Sequence, residues 1–479
     1  VPKGDVDDVR RLRLVSLHEM VSLEPNTRLS DSSAATPVLK LVCPNLVRLD
    51  HDMQIQPELA CAWTVSDDQC VYRFTLRDGL RFHDGSAVDA QRVVWNFDRM
   101  LDSRTGSVLP RDFEPLRTVR ALSDHEVAFE LHRPWPAFLH HLAGRCHLVA
   151  DTALQPCGAG AFRLVEWVRG SHLRLQRFAD YWNAEAIHVD ELLVTWAPDG
   201  DARTRLIESG DFDVMEVVPA AEAGRLRDAG LAALTHARSS TRLTLAMNCR
   251  RPPFDDPERR RAVARALDRQ TLVERYAGPH GRATSAVWGE DQAPVPEAAA
   301  RLDRDRFPAT GEPEVLQGVM TRVSPMPAVA RDVGTMLEPL GLHLDMRGYD
   351  DPPWWPMVYC DTDWQIAFQG MGTRAHADML FSREFCTGGS FNSTGYSNPS
   401  LDDLVAQARH AVDPGERDRL YAAAQEILAR DVPVIVLYGS DTLVGTRPGV
   451  SGFRAHPLSY WDMAGVRVDG TGLSATGKT

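Results

Sequence analysis

A chain of 479 residues, 43% hydrophobic and 25% charged, is long enough for two or three domains around a large core. Its net charge of -13 excludes a broad phosphate-binding face, which needs a local excess of Lys and Arg, so no nucleic-acid partner is expected. No run approaches the roughly 20 apolar residues that span a bilayer, and the eight cysteines contain no CxxC spacing of the kind that serves zinc or thiol exchange.

Residues 1–10 are a polar lead-in that opens VPKGD, without an initiating Met or an apolar signal core, as a processed chain would. RLRLVSL (11–17) then alternates apolar and polar residues as a half-buried strand does. The stretch 32–50 predicts a helix entered through Ser and Asp caps that leaves into an extended segment. Two alternating runs follow around Ser66-Asp67-Asp68, with Tyr72, Phe74 and Leu76 on one face, and HEVAFELH (125–132) repeats the pattern.

Between them stands LRDGLRFHDGSAVDAQRVVWNF (76–97), where His83 and Asp84 invite a catalytic or metal reading. Turn chemistry explains them as well: Asp tolerates the bend, Gly85 supplies positive φ, and Ser86 or Asp89 can cap the helix that follows. No further ligand lies at metal spacing, so the stretch is expected to be scaffold. Farther on, 255–276 predicts one long amphipathic helix with Pro257 in its first turn. Residues 400–431 predict two helices broken at Asp413-Pro414-Gly415, and the wholly apolar VPVIVLYG (432–439) predicts a buried strand. Strands interleaved with helices argue an α/β architecture.

Enzyme signatures are missing: there is no GxxxxGK[ST], HExxH or GxSxG, and the lone GxG in CGAGAF (157–162) is too weak for a dinucleotide site. His140, His141 and His147 are close in sequence, but consecutive histidines do not face one direction on a helix. No catalytic residue, metal ligand or cofactor is assigned.

Several motifs, in order along the chain, carry a resemblance. LRDGLRFHDGSAVDAQRVVWNFDRML, CGAGAFRLVEWVRGSHLRLQRFADYW, DARTRLIESGDFDVM, LAMNCRRPPFDDPERRRAVARALDRQTLV and the closing VSGFRAHPLSYWDMAGV are similar to the extracellular solute-binding proteins of peptide, opine and nickel ABC importers. The resemblance covers residues 11 to 468. It implies a two-lobed α/β periplasmic-binding-protein fold with an extra subdomain in the first lobe. Lobe I is expected over 11–246 and 450–472, with the inserted subdomain at about 46–157, and lobe II over 247–449. Hinges are expected near 246–250 and 440–452, where apolar strands meet Pro- and Gly-rich segments.

The resemblance also implies site residues. Peptide-binding members use an Asp in the loop that here reads QGMGTRAHADMLF (369–381), and Thr373 with Arg374 stands in its place, reversing the local charge. Arg145 matches an arginine that holds ligand carboxylates in nickel-chelate and opine members, and Arg104 lies near a second such position. Met371 and His376 from the same loop, Asn248, Ser32 and Trp355 complete the candidate contacts. Arg–carboxylate pairing is strong and directional. The expected ligand is therefore small and anionic or zwitterionic: opine-like, metallophore-like, or a modified amino acid or peptide. The expected partner is an ABC permease, the expected state a monomer, and the expected place the periplasm or the outer face of the cell envelope. Two alternatives keep the fold: a sensor domain of a cytoplasmic regulator, and a binding scaffold recruited as a biosynthetic enzyme.

Overall fold

Two mixed sheets carry the chain in the computed structural model, which describes residues 9–469 except 28–33, 106, 108, 153–155, 240, 290–313, 351–356 and 360–362. Leu12, Leu14 and Val15 are fully buried because Arg11–Ser16 is an interior strand, paired in parallel with Glu191–Trp196 on one side and Val214–Met215 on the other. Strand by strand, this first sheet runs Ala233–Ala237, Thr442–Thr446, Val214–Met215, Arg11–Ser16, Glu191–Trp196, His172–Arg177 and Phe162–Val168. The second runs Gly281–Arg282, Val434–Ser440, Arg242–Met247, Ile366–Met371, Glu314–Thr321 and Leu342–Tyr349.

These pairings place the crossings between lobes. Arg242–Met247 is held on both sides by second-sheet strands, and Thr442–Thr446 already belongs to the first sheet. The chain therefore passes over between Ala237 and Arg242 and returns at Asp441. The first crossing thus lies ahead of the stretch expected at 246–250, whereas the return at Asp441 falls within the stretch expected at 440–452, ahead of the lobe bound placed at 449. The Pro-rich turn after Met247 marks a strand end, not a lobe boundary. The two crossings are fastened together: Ser239 Oγ donates to Ser440 O at 3.1 Å, and Arg282 bonds Ser239 O at 2.7 Å and Asp441 Oδ1 at 2.5 Å.

The inserted subdomain leaves after the helix Ala35–Val42 and wraps its own core around the antiparallel sheet Ala60–Val65, Val71–Leu76, Glu126–Leu131, Leu116–Ala121. Phe74, Phe97, Phe113, Phe129, Trp135 and Phe138 fill that core. The HDGS stretch behaves as scaffold. Asp84 Oδ1 accepts from Ser86 N at 2.9 Å, Gly85 has φ +84, and Asp89 caps the helix Ala90–Leu101 by accepting from Arg92 N at 2.7 Å. His83 N donates to Gly158 O at 2.8 Å, its Nε2 lies 3.1 Å from Gly160 O, and its ring packs edge-on to Phe178. The GxG itself has a steric cause. A Cβ at Gly158 would stand 1.9 Å from Val42 O, and one at Gly160 would stand 2.0 Å from Leu41 O.

Two helices differ from expectation. Among the described residues, the helix predicted from 32 forms over Ala35–Val42. The single helix predicted over 255–276 is two, Pro257–Ala266 and Arg269–Tyr276, because Asp268 accepts from Thr271 N and starts a new helix. The break at Asp413 falls where turn chemistry put it, between Pro399–His410 and Pro414–Asp431.

Candidate functional site

A cavity of about 680 Å³ lies between the lobes, within the range of small-molecule sites (roughly 300–1,000 Å³). On the first-lobe side, the parallel strands Arg11–Ser16 and Val214–Met215 end at its wall and deliver Leu17, His18 and Glu216. Open α/β sheets place ligands in this position, outside the carboxyl ends of parallel strands. Glu216 is buried, and burial raises its pKa against hydrogen bonds from Ser16 Oγ (2.5 Å) and Trp461 Nε1 (3.1 Å). Beside it, Arg203 donates to Ala197 O at 2.6 Å and Val217 O at 3.3 Å, and burial lowers its pKa to about 10.

The second-lobe wall begins where Ile366–Met371 ends, with Gln369, Met371, Thr373 and Arg374 lining the cavity. Thr373 Oγ1 is 3.2 Å from Thr241 Oγ1, next to the crossing. A π-helical turn, Phe381–Phe385, then brings the consecutive residues Arg383 and Glu384 to the same wall. Its wider winding is a departure that recurs at functional sites. Arg374 Nη2 donates to Glu384 Oε1 at 2.6 Å, with both side chains largely buried.

Among the described residues, five arginines and six carboxylates line the cavity, so its charge is balanced and not basic. The lobes touch at its edge. Ser324 N donates to Pro198 O at 3.3 Å, and the helix Ala220–Asp228 packs against Arg269–Tyr276. This is a closed cleft.

The site expected from sequence is partly assembled. Met371, Thr373 and Arg374 line the cavity. Arg145 lines it too, but its guanidinium is bonded to buried Asp112. Arg104 is on the surface, 88% exposed, in a fork with Asp102 two residues away, and does not reach the cavity. Asn248 is buried inside lobe II, donating to Trp364 O at 2.9 Å, because it directly follows the interior strand Arg242–Met247. His376 does not line the cavity: its Nδ1 accepts from Asp378 N at 3.1 Å, and its ring stands 5.1 Å from that of His140. Ser32 and Trp355 lie outside the described residues. Glu216, Arg203, Arg383 and Glu384 were not foreseen. Glu216 had a signal, a lone carboxylate inside the apolar run VMEVV.

Known proteins decide the family. The sequence profile of the bacterial extracellular solute-binding proteins, family 5, matches residues 54–393. This chain belongs to that family. The family member is a solute-binding receptor, as the closed cleft between two lobes would serve. The glutathione-binding protein GsiB of Escherichia coli K12 is 26% identical, with 89% of each chain covered. The dipeptide-binding protein of Pseudoalteromonas sp. SM9913, solved with Met-Leu, superposes with a TM-score of 0.87 at 19% identity, covering 96% of this chain and 100% of that one. The binding protein AgaA of A. tumefaciens R10, solved with agropinic acid, gives 0.85 at 21% identity, covering 96% and 99%. The structural likenesses fix the two-lobed fold of this family 5 protein.

Proposed function

We propose that this family 5 protein is the receptor of an ABC importer, working outside the cytoplasmic membrane, and that it closes over a small zwitterionic ligand. The ligand class is an amino-acid conjugate or short peptide derivative with at least one carboxylate and one ammonium. One observation carries the reading: Arg374 and Glu384 stand side by side on the cavity wall at 2.6 Å. A guanidinium fork takes a carboxylate directionally, and a neighbouring carboxylate takes an ammonium. The balanced charge of the lining favours a zwitterion over a multiply charged anion, narrowing the anionic-or-zwitterionic class expected from the sequence. Relatives named for glutathione, a dipeptide and agropinic acid support carboxylate-bearing small molecules.

Closure buries the ligand between the walls, and the closed form is what a permease meets. Titration calorimetry with glutathione, Met-Leu and C-terminally amidated Met-Leu tests the charge pattern. Binding of at least one free-carboxylate compound is expected, with the amide at least tenfold weaker than its parent. Equal affinity for Met-Leu and its amide would overturn the zwitterion reading and leave the receptor assignment standing.

A further inference from the structure

Outside the cavity, the inserted subdomain meets lobe II along a seam where each side buries a carboxylate that the other side's donors reach. Asp378 of lobe II is fully buried. Its Oδ2 accepts from Trp135 Nε1 at 3.0 Å and His141 Nε2 at 2.9 Å, both from the inserted subdomain, and lies 3.7 Å from Arg409 Nε of its own lobe. The reciprocal group is Asp112 of the inserted subdomain, also buried. Its Oδ2 is bonded to Arg145 of its own side and lies 3.3 Å from Arg383 Nε of lobe II, and its backbone carbonyl accepts from Arg409 Nη2.

Further ties run along the same seam. The Arg409 guanidinium sits 5.0 Å from the centre of the Trp135 ring, His410 Nδ1 is 2.8 Å from Pro134 O, and Arg111 Nη2 donates to Thr387 O at 2.6 Å. Phe113, next to Asp112, packs edge-on to Trp135 at 5.3 Å. The hydrophobic core of the subdomain thus holds the donors in place.

We propose that this exchange of buried carboxylates, Asp112 in one direction and Asp378 in the other, latches the inserted subdomain to lobe II and sets the receptor's balance between open and closed. The physical reason is that buried charges are tolerable only with their partners. A partly parted seam leaves charged groups desolvated and uncompensated, so the seam is either closed or fully hydrated. Asp112 is also a positioning residue. It does not line the cavity, yet it fixes Arg145 from one side and Arg383 from the other, and both line it. Ligand contacts and closure therefore share groups. The latch rests on the closing-receptor reading but not on the identity of the ligand.

Asp378→Asn is the informative substitution. Oδ2 carries the contacts while Oδ1 has no hydrogen-bond partner among the described residues, so an amide oxygen can replace Oδ2; the charge is lost and the amide NH2 takes the place of Oδ1. Trp135→Phe removes one cross-seam donor and keeps an aromatic ring. Amide hydrogen exchange is measured without added ligand, with small-angle scattering on the same samples. In Asp378→Asn, exchange in 135–146 and in 376–386 is expected to quicken at least tenfold on both sides. The strands Arg11–Ser16 and Arg242–Met247 should stay protected, and the radius of gyration should rise. Quickening confined to the lobe II side, or no quickening, with the sheets protected, overturns the latch. If Asp378→Asn disturbs the sheets, Trp135→Phe decides by the same two-sided criterion with a smaller effect. The wild-type protein with Arg104→Ala, a surface change, is the baseline.

Discussion

Arg374 and Glu384 meet at 2.6 Å on the cavity wall because a π-helical turn carries Glu384 back toward the loop that holds Arg374. Truncating one member of a desolvated, hydrogen-bonded charge pair costs roughly 2–5 kcal/mol, or about thirtyfold and more in affinity. Arg374→Ala is expected to weaken a carboxylate-bearing ligand by that much and, because it leaves buried Glu384 without its guanidinium, to lower stability as well. Glu384→Gln should weaken the ammonium-bearing ligand and spare its N-acetylated form. Calorimetry on the two variants with both forms separates the roles; an identical loss for each form in each variant would count against the assignment.

Arg145→Ala is expected to act first on stability. The substitution removes one of the two guanidinium groups around buried Asp112 and leaves that carboxylate with Arg383. Removing one partner of a buried pair costs about 3–5 kcal/mol, and the remaining arginine holds the loss to the low end. Urea unfolding should show a lower midpoint with an unchanged m-value. A wild-type midpoint with a large loss of affinity would return Arg145 to a direct ligand contact.

Gly158→Ala and Gly160→Ala should be far more damaging than Gly170→Ala. The first two set a Cβ against the backbone of Leu41 and Val42, whereas nothing stands within 4 Å of a Cβ at Gly170, where the cost is only its φ of +72. Soluble yield and thermal midpoint of the three variants check this. His83→Ala, by contrast, should lower stability moderately through its lost contacts to Gly160 O and Phe178 and leave ligand affinity unchanged.

Acid should loosen the protein through its buried imidazoles. Burial lowers His83, His140 and His456 to about 4 and His376 to about 3, from an ordinary value of 6.5. Between pH 6.5 and about 4 the unfolded chain binds protons at these sites and the folded chain does not. Their stabilising contribution is therefore complete above that window and falls as pH falls through it. Thermal midpoints should drop by several degrees from pH 7 to pH 5, and His376→Gln should flatten the dependence. A midpoint that holds or rises over that range would contradict the assignment.

Local physics was legible in the sequence by itself. The alternation in RLRLVS and EVAFEL, the break at Asp413-Pro414-Gly415 and the HDGS turn with its Asp89 cap depend on neighbours a few residues away, and the motif order along the chain indicated the family. Tertiary structure alone decided the rest. The crossings lie at 238–241 and 441 because strand pairing, not proline content, assigns Arg242–Met247 to the second sheet. Arg145 on the cavity wall is tied to Asp112, 33 residues away, and His141 meets Asp378 across 237 residues. Whether an arginine in this arginine-rich chain meets a ligand or an internal carboxylate depends on which distant segments share its buried surroundings, and burial sets what each ion pair is worth.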